Sequence, residues 1–298
     1  MMRYLRPRRG VRRPQVTDPP RAMNGTPPAA AVIGGRDPVR VCVLGYGSIG
    51  AVVVDRLIRG DVPGAELIGI VNRSPVEDLP APALVLGEAL AVADVVVECA
   101  SQEAVWEVAQ QVVDAGCDLL VSSVGALSDP AFAQRIAGCG PGRVVCTHGA
   151  VGGLDLLAAA RDAAPFERVL VRSTKSPGSL VQPWMDAAQR HRISTTATRL
   201  RVFAGSPAEA ARLFPKSLNV AAAVSFAVSD WETVAVELYA DPDADLTCHE
   251  IEASGPIGRY SIKIENLPSA DNPRTSAVVP YSILRTLAHL TGCPNLIG

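Results

Sequence analysis

Gly45, Gly47 and Gly50 stand in the stretch VCVLGYGSIG, directly after a run of apolar, strand-forming residues and directly before the amphipathic AVVVDRLIR. In a strand, Gly-x-Gly-x-x-Gly, helix unit the first glycine permits a tight turn. The second lets a pyrophosphate approach the backbone, and the third lets the helix pack closely on the strand. The phosphates would meet unpaired N–H groups at a helix N-terminus, where the helix dipole favours negative charge. Glycine triplets also arise by chance in loops, so it is the flanking strand and helix that make Gly45, Tyr46, Gly47, Ser48, Ile49 and Gly50 a dinucleotide site.

The end of the next strand bears on which dinucleotide. An Asp or Glu there would bond a ribose 2′-hydroxyl, whereas this chain has Asn72, Arg73 and Ser74 and no acid before Glu77. A guanidinium beside a hydroxyl suits a 2′-phosphate, because Arg offers planar, paired donors to phosphate oxygens. NADP is therefore favoured over NAD, with a solvated loop arginine as the alternative reading. Among the four histidines, His191 and His289 fall in polar or surface helical contexts and are read as solvated. His148 follows a sheet strand on the side where a substrate would bind and is a minor candidate. His249 stands in LTCHEIEASGPIGRY, at the junction between two expected strands, and a histidine near neutrality can activate water or shuttle a proton. Spacing alone leaves a structural histidine open at this position. The seven cysteines are scattered singly, with no Cys-x-x-Cys pair and no His/Cys cluster at ligand spacing, so no metal site is expected.

The elements that must hold these residues alternate strand and helix from residue 38 onward, which implies a parallel, doubly wound α/β sheet of Rossmann type. Val39 to Leu44 is the first strand and Ser48 to Arg59 the helix behind the glycines; GAELIGIVN is the second strand. LGEAL and ADVVVECAS follow as a short helix and a buried strand. Gln102 to Ala115 carries Val105, Val108, Val112 and Ala115 at helical spacing, and Gly116 closes it. CDLLVSSVGAL is a strand and its loop, ALSDPAFAQRIAG a helix capped at Ser128 or Asp129, and GRVVCTHGA a further strand. After Gly149 the texture becomes α+β: helical GLDLLAAARDA, strand-like ERVLVRSTK, and two helices broken at Pro215. ETVAVELYADP and GRYSIKIENLP then alternate in the two-residue period of antiparallel strands with one wet face. A last helix, Ser276 to Leu290, is expected to return to the first domain. The expected division is 37–148 plus 272–298 for the dinucleotide domain and 149–271 for a substrate and dimerisation domain.

Composition sets the class. The chain has 298 residues, 48% hydrophobic and only 19% charged, which argues for a well-buried soluble body of one or two domains. No apolar run approaches the roughly 18 to 20 residues a bilayer crossing needs. Single, unpatterned cysteines fit a reducing, cytoplasmic compartment. Residues 1–36 hold eight arginines, one acid (Asp18) and six prolines, a net of +7 against −2 for the whole chain, so the body carries −9. Such a segment cannot bury enough apolar surface to offset its ordering entropy and is expected to be a disordered, dispensable basic extension, or to precede a later start at Met23. It also lacks the apolar core of a secretory signal. A basic arm on nucleic acid or anionic lipid is the alternative, and neither partner is expected.

Several stretches resemble one family. VECAS, SVGAL and GAVGGLD in the first half, and FPKSLNVAAAVSFA, HEIEASGPIGRYSIKIEN and NPRTSAVVPYSIL in the second, are similar to the L-aspartate dehydrogenase family over about residues 39–290. The resemblance implies NAD(P)-dependent oxidation of the amine of L-aspartate to an imine, which water converts to oxaloacetate and ammonia. It carries the catalytic histidine onto His249 and nicotinamide-side contacts onto Ala150 and Asn219. Ala100, Ser101 and Ser123, in the matching loops, are assigned to the cofactor as well. Asn219, where a helix begins, has an amide that can both cap the helix and bond a carboxamide. Lys175, Lys216, Arg274, Thr275 and Ser276 are the groups available for substrate carboxylates, and a homodimer is the expected assembly. Four positions depart from the family's usual pattern: Thr247 where Asn is usual, Thr147 and His148 where Pro and Ser are usual, and Gln102 where His is usual.

Overall fold

The computed structural model describes residues 37–215 and 219–292. The basic extension, Lys216 and residues 293–298 of the expected first domain lie outside them.

The first half alternates as the apolar runs dictate. In order come β1 (Val39–Leu44), α1 (Ser48–Ile58), β2 (Ala65–Val71), α2 (Leu86–Leu90), β3 (Val95–Glu98), α3 (Gln102–Asp114), β4 (Asp118–Val121), a 3₁₀ turn (Val124–Ser128), α4 (Pro130–Ala137) and β5 (Val144–Cys146). The five strands pair in parallel in the order β2-β1-β3-β4-β5. A strand buried on both faces reads as a continuous apolar run, and β1 shows why. Val41 and Val43 pack with Val53, Val54 and Leu57 of α1, while Cys42 and Leu44 pack on the opposite face with Val105, Val108 and Val112 of α3. Asp129 caps α4, accepting hydrogen bonds from the Ala131 and Phe132 amides, which decides between the two expected caps. Connections leave β1 in opposite directions to β2 and β3, which opens a crevice beyond the carboxyl end of β1, where the glycine-rich loop lies.

The second half contains α5 (Leu154–Ala163), β6 (Arg168–Lys175), α6 (Pro177–Leu180), α7 (Ala187–Ser194), β7 (Leu200–Gly205), α8 (Pro207–Leu213), α9 (Asn219–Val228), β8 (Val234–Ala240), β9 (Thr247–Gly255), β10 (Gly258–Asn266) and α10 (Val279–Leu290). Its five strands run in the order β10-β9-β6-β8-β7. Here one expectation holds only in part: β8 is antiparallel to β7 but lies parallel to β6. Alternation reports a wet face and a dry face but not the direction of the neighbouring strand. The dry face, with Val169, Val171, Val236, Leu238 and Ile251, packs on α5, α8 and α9, while Arg172, Glu237, Glu250 and Glu252 form an ion-pair network on the other face. α10 starts at Val279 rather than Ser276, and its Ile283, Leu284 and Leu287 join the first-sheet core beside α1. Among the described residues, no helix is long and apolar enough to cross a membrane.

Candidate active site

A cavity of about 370 Å³ is walled by the loops after β1, β3, β4 and β5 on one side and by β6, β9, α9 and the segment 272–279 on the other. At the first wall the backbone does the shaping. Gly45 takes φ +98°, and a Cβ there would lie 2.8 Å from the Ala100 Cβ. A Cβ on Gly50 would stand 2.0 Å from the Gly45 carbonyl oxygen. Gly47 is different: its missing Cβ would meet no protein atom within 4 Å, and the residue lines the cavity together with Ser48 and Ile49. No side chain caps the first turn of α1, so its amides are left for a ligand. This open cradle at a helix N-terminus fits a dinucleotide pyrophosphate.

Asn72 braces that cradle. Its Oδ1 accepts from the Tyr46 amide at 3.1 Å and its Nδ2 donates to the Ser74 carbonyl at 2.7 Å, tying the end of β2 to the glycine loop. Arg73 and Ser74 are exposed. They, Tyr46 and Asn72 lie outside the cavity lining.

The loops after β3 and β4 are organised by a residue with no place among the sequence candidates. Glu98, the last residue of β3, is fully buried, and its two carboxylate oxygens accept from the amides of Ala100, Ser122 and Ser123 and from the Ser123 hydroxyl, at 2.7 to 3.0 Å. Burial raises this carboxyl's pKa while the four donors lower it. A carboxylate accepts from all four donors, whereas a protonated acid would leave one oxygen committed to its own proton, and the donor set therefore favours the charged form. Ala100, Ser101 and Ser123 do line the cavity, but the Ser123 hydroxyl is spent on Glu98 and the Ser101 hydroxyl caps α3 through the Ala104 amide. An acid ending the apolar run VVVE was the available signal.

Ala150 and Asn219 reach the same cavity. The Ala150 carbonyl accepts from Asn266 Nδ2 at 2.9 Å. Asn219 Oδ1 accepts from the Gly125 amide at 3.0 Å and from Gln102 Nε2 at 3.5 Å, so only its Nδ2 is left for a ligand. Gln102, buried at the start of α3, also donates to the Ala211 and Pro215 carbonyls and so links the two halves. Thr147 is 1% exposed, lines the cavity and has a buried hydroxyl with no partner among the described residues; that orphan is suited to the carboxamide of a nicotinamide. His148 lines the cavity with Nδ1 turned to the Val151 carbonyl, while His191 and His289 are exposed and elsewhere.

The opposite wall is made of side chains. His249 lies inside β9, not at a junction, in register with Ser173 of β6. Ser173 Oγ and His249 Nδ1 are 2.8 Å apart, which fixes the ring and leaves Nε2 for the cavity. Along the dry face of β6 the sequence runs Val169, Val171, Ser173, Lys175, and along that of the antiparallel β9 it runs Thr247, His249, Ile251, Ala253. One sheet face thus changes from apolar to polar where it meets the cavity. Burial, and then the Lys175 charge, push His249 down to about 3, and burial lowers Lys175 to about 8. Lys175 Nζ donates to the Arg274 carbonyl at 2.8 Å, and among the described residues no acidic side chain pairs with it. Arg274, Thr275 and Ser276 line the cavity as well, and Arg274 Nη2 reaches the Val181 carbonyl at 3.5 Å.

Comparison with known proteins agrees with this geometry. Residues 155–290 match the model described as aspartate dehydrogenase, C-terminal, and residues 45–139 match the homoserine dehydrogenase NAD-binding domain. L-aspartate dehydrogenase of a Thermotoga species is 36% identical over 260 residues, covering 84% of this chain and 96% of the relative. The chain belongs to the L-aspartate dehydrogenase family. The enzyme of Ralstonia pickettii is 38% identical over 201 residues, covering 66% of this chain and 73% of its own. The crystal structure of aspartate dehydrogenase from Thermotoga maritima superposes with a TM-score of 0.69 at 31% identity, over 87% of this chain and 99% of that one. The protein is accordingly an NAD(P)-dependent amino-acid dehydrogenase with a nicotinamide-binding first domain.

Proposed function

We propose that the chain oxidises L-aspartate to iminoaspartate with NADP or NAD, and that water then converts the imine to oxaloacetate and ammonia; the reverse amination uses the same groups. A dinucleotide held by Gly47, Ser48 and Ile49, with Ala150, Thr147 and Asn219 at its nicotinamide end, would supply the acceptor for the hydride of the substrate Cα. The observation that carries the substrate reading is the buried Lys175 ammonium, which lines the cavity without an acidic partner. A buried charge requires a counterion, and a substrate carboxylate is one that the reaction itself brings. Arg274 and the Thr275 and Ser276 hydroxyls stand on the same wall for a second carboxylate. His249, held by Ser173, offers Nε2 to take a proton from water as its oxygen bonds to the imine carbon. Arg73 and Ser74, beside an Asn72 that brings no negative charge to the ribose, support a preference for the 2′-phosphate of NADP. A homodimer is proposed as the working assembly, to be read by light scattering.

The reaction is tested by absorbance at the reduced-nicotinamide band, with both cofactors, against a panel of amino acids and against oxaloacetate plus ammonia. Turnover strongest with aspartate supports the reading. Turnover confined to a monocarboxylic amino acid would replace the substrate, and none with any amino acid would leave a cofactor-binding protein without this activity.

A further inference from the structure

A histidine at about 3 is a weak base, and general-base catalysis works best when the base titrates near the working pH. The site as it stands therefore holds the right ring in the right place with too little affinity for a proton. The cause is local. Ser173 and Lys175 are two residues apart on β6, so their side chains leave the same sheet face, and Ser173 is the register partner of His249. The Lys175 ammonium is thus a cationic neighbour of the imidazole on the adjoining strand, in the same cavity and without an acidic partner. The other charged or titratable groups on that cavity are Arg274, His148, Glu103 and the Cys99 thiol; on the far side from Ser173, Ile264 of β10 is the register partner of His249.

We propose that Lys175 makes the basicity of His249 conditional on a bound anion: in the free protein the ammonium opposes proton uptake by the ring, and a substrate carboxylate seated on Lys175 cancels that opposition. This rests on the reading of the substrate as an amino dicarboxylate. It means that the base gains proton affinity in the complex where an imine can form. Linkage makes the effect reciprocal, so protonation of His249 must in turn strengthen carboxylate binding. The sign for Lys175 follows as well. The anion binds the charged ammonium, so affinity is full well below pH 8 and falls about tenfold per pH unit above it, as Lys175 loses its proton.

The test uses the full-length protein with oxidised cofactor and succinate, a dicarboxylate with no amine to oxidise. The His249 ring is followed by NMR of ¹³C-labelled histidine as pH is lowered from 8, while calorimetry reports succinate binding. The expected result is that bound succinate raises the His249 midpoint by about one pH unit or more, a tenfold change in proton affinity. Lys175→Met should raise it without succinate, and succinate should add nothing further in that variant. Lys175→Arg should restore the wild-type response. Succinate that binds without moving His249 would overturn the coupling, as would a His249 midpoint unchanged in Lys175→Met. If succinate fails to bind the wild type, the dicarboxylate reading fails, while the ligand-free comparison of the two proteins still decides the coupling. Should Lys175→Met not fold, the succinate titration of the wild type decides it alone.

Discussion

The two walls of the cavity are built by opposite means. On the first-sheet side the cavity is shaped mainly by main chain: glycines without Cβ, an uncapped helix turn, and loops tied down by Glu98, with Thr147 and His148 the side chains added at its edge. On the second-sheet side the groups facing it are side chains, Lys175 and His249, standing on paired strands with Ser173 behind them holding the ring. A backbone-made site suits a ligand recognised by its phosphates, common to many proteins. A side-chain-made site suits chemistry peculiar to one substrate. The first can be damaged only by adding bulk or removing a brace, the second by deleting a single functional group.

His249→Ala should therefore give the largest loss. Positioned acid–base groups contribute about 10²- to 10⁴-fold, and kcat should fall by that order while NADPH binding, followed by fluorescence, stays intact. The same substitution at His191 or His289, both exposed, should leave kcat unchanged. A His249→Ala protein with normal kcat would make the ring structural, the reading that spacing alone left open.

Arg73→Ala probes the cationic side chain assigned to cofactor choice. Loss of a hydrogen bond to a charged group costs about 1.5 to 3 kcal/mol, so NADP affinity should fall roughly 10- to 150-fold with NAD nearly untouched. Equal losses for both cofactors, by titration, would mean that no 2′-phosphate is recognised there.

Gly47→Ala asks whether the cradle is purely a matter of space. The added methyl meets no protein atom within 4 Å, so the thermal midpoint should hold, whereas cofactor affinity should fall by the about 1 to 3 kcal/mol of an overpacked contact. Gly50→Ala should do the reverse, lowering the midpoint because its methyl would strike the Gly45 carbonyl. If both variants behaved alike in thermal melts, the division of labour among the glycines would be wrong.

This contrast also explains what could be read from the sequence. Glycine spacing, apolar strand runs and a helix cap such as Asp129 are local, and the first domain's elements follow from them. The second domain depends on pairings that no local pattern carries. Ser173 and His249 are 76 residues apart in the chain, so neither their contact nor the missing counterion of Lys175 is visible before folding. HEIEAS does alternate, and reading it as a strand would have moved His249 from a junction into β9. α7 escaped notice because it is polar almost all round, burying only Ile193, and β7 because LRVFAG is short and only partly buried. Thr147 and Gln102 stood out only as departures from a family pattern, and their roles come from burial and partners.

Glu98 crosses the division, since it is a side chain whose work is to shape main chain. Glu98→Gln keeps the size but turns one acceptor oxygen into a donor that faces two of the four N–H and O–H groups. Each buried donor left unsatisfied costs about 1 to 3 kcal/mol. Removing a fully buried charge returns part of that cost, because the carboxylate's own desolvation disappears with it. The net loss of stability should therefore be small, about 1 kcal/mol by denaturant titration. Its functional mark should be a weaker hold on the cofactor at unchanged kcat under saturation, because the Ala100, Ser122 and Ser123 loops line the first wall while His249 and Lys175 are left in place. A fall in kcat at saturating cofactor with Kd unaltered would place Glu98 in the chemistry of the second wall and undo the separation of the two.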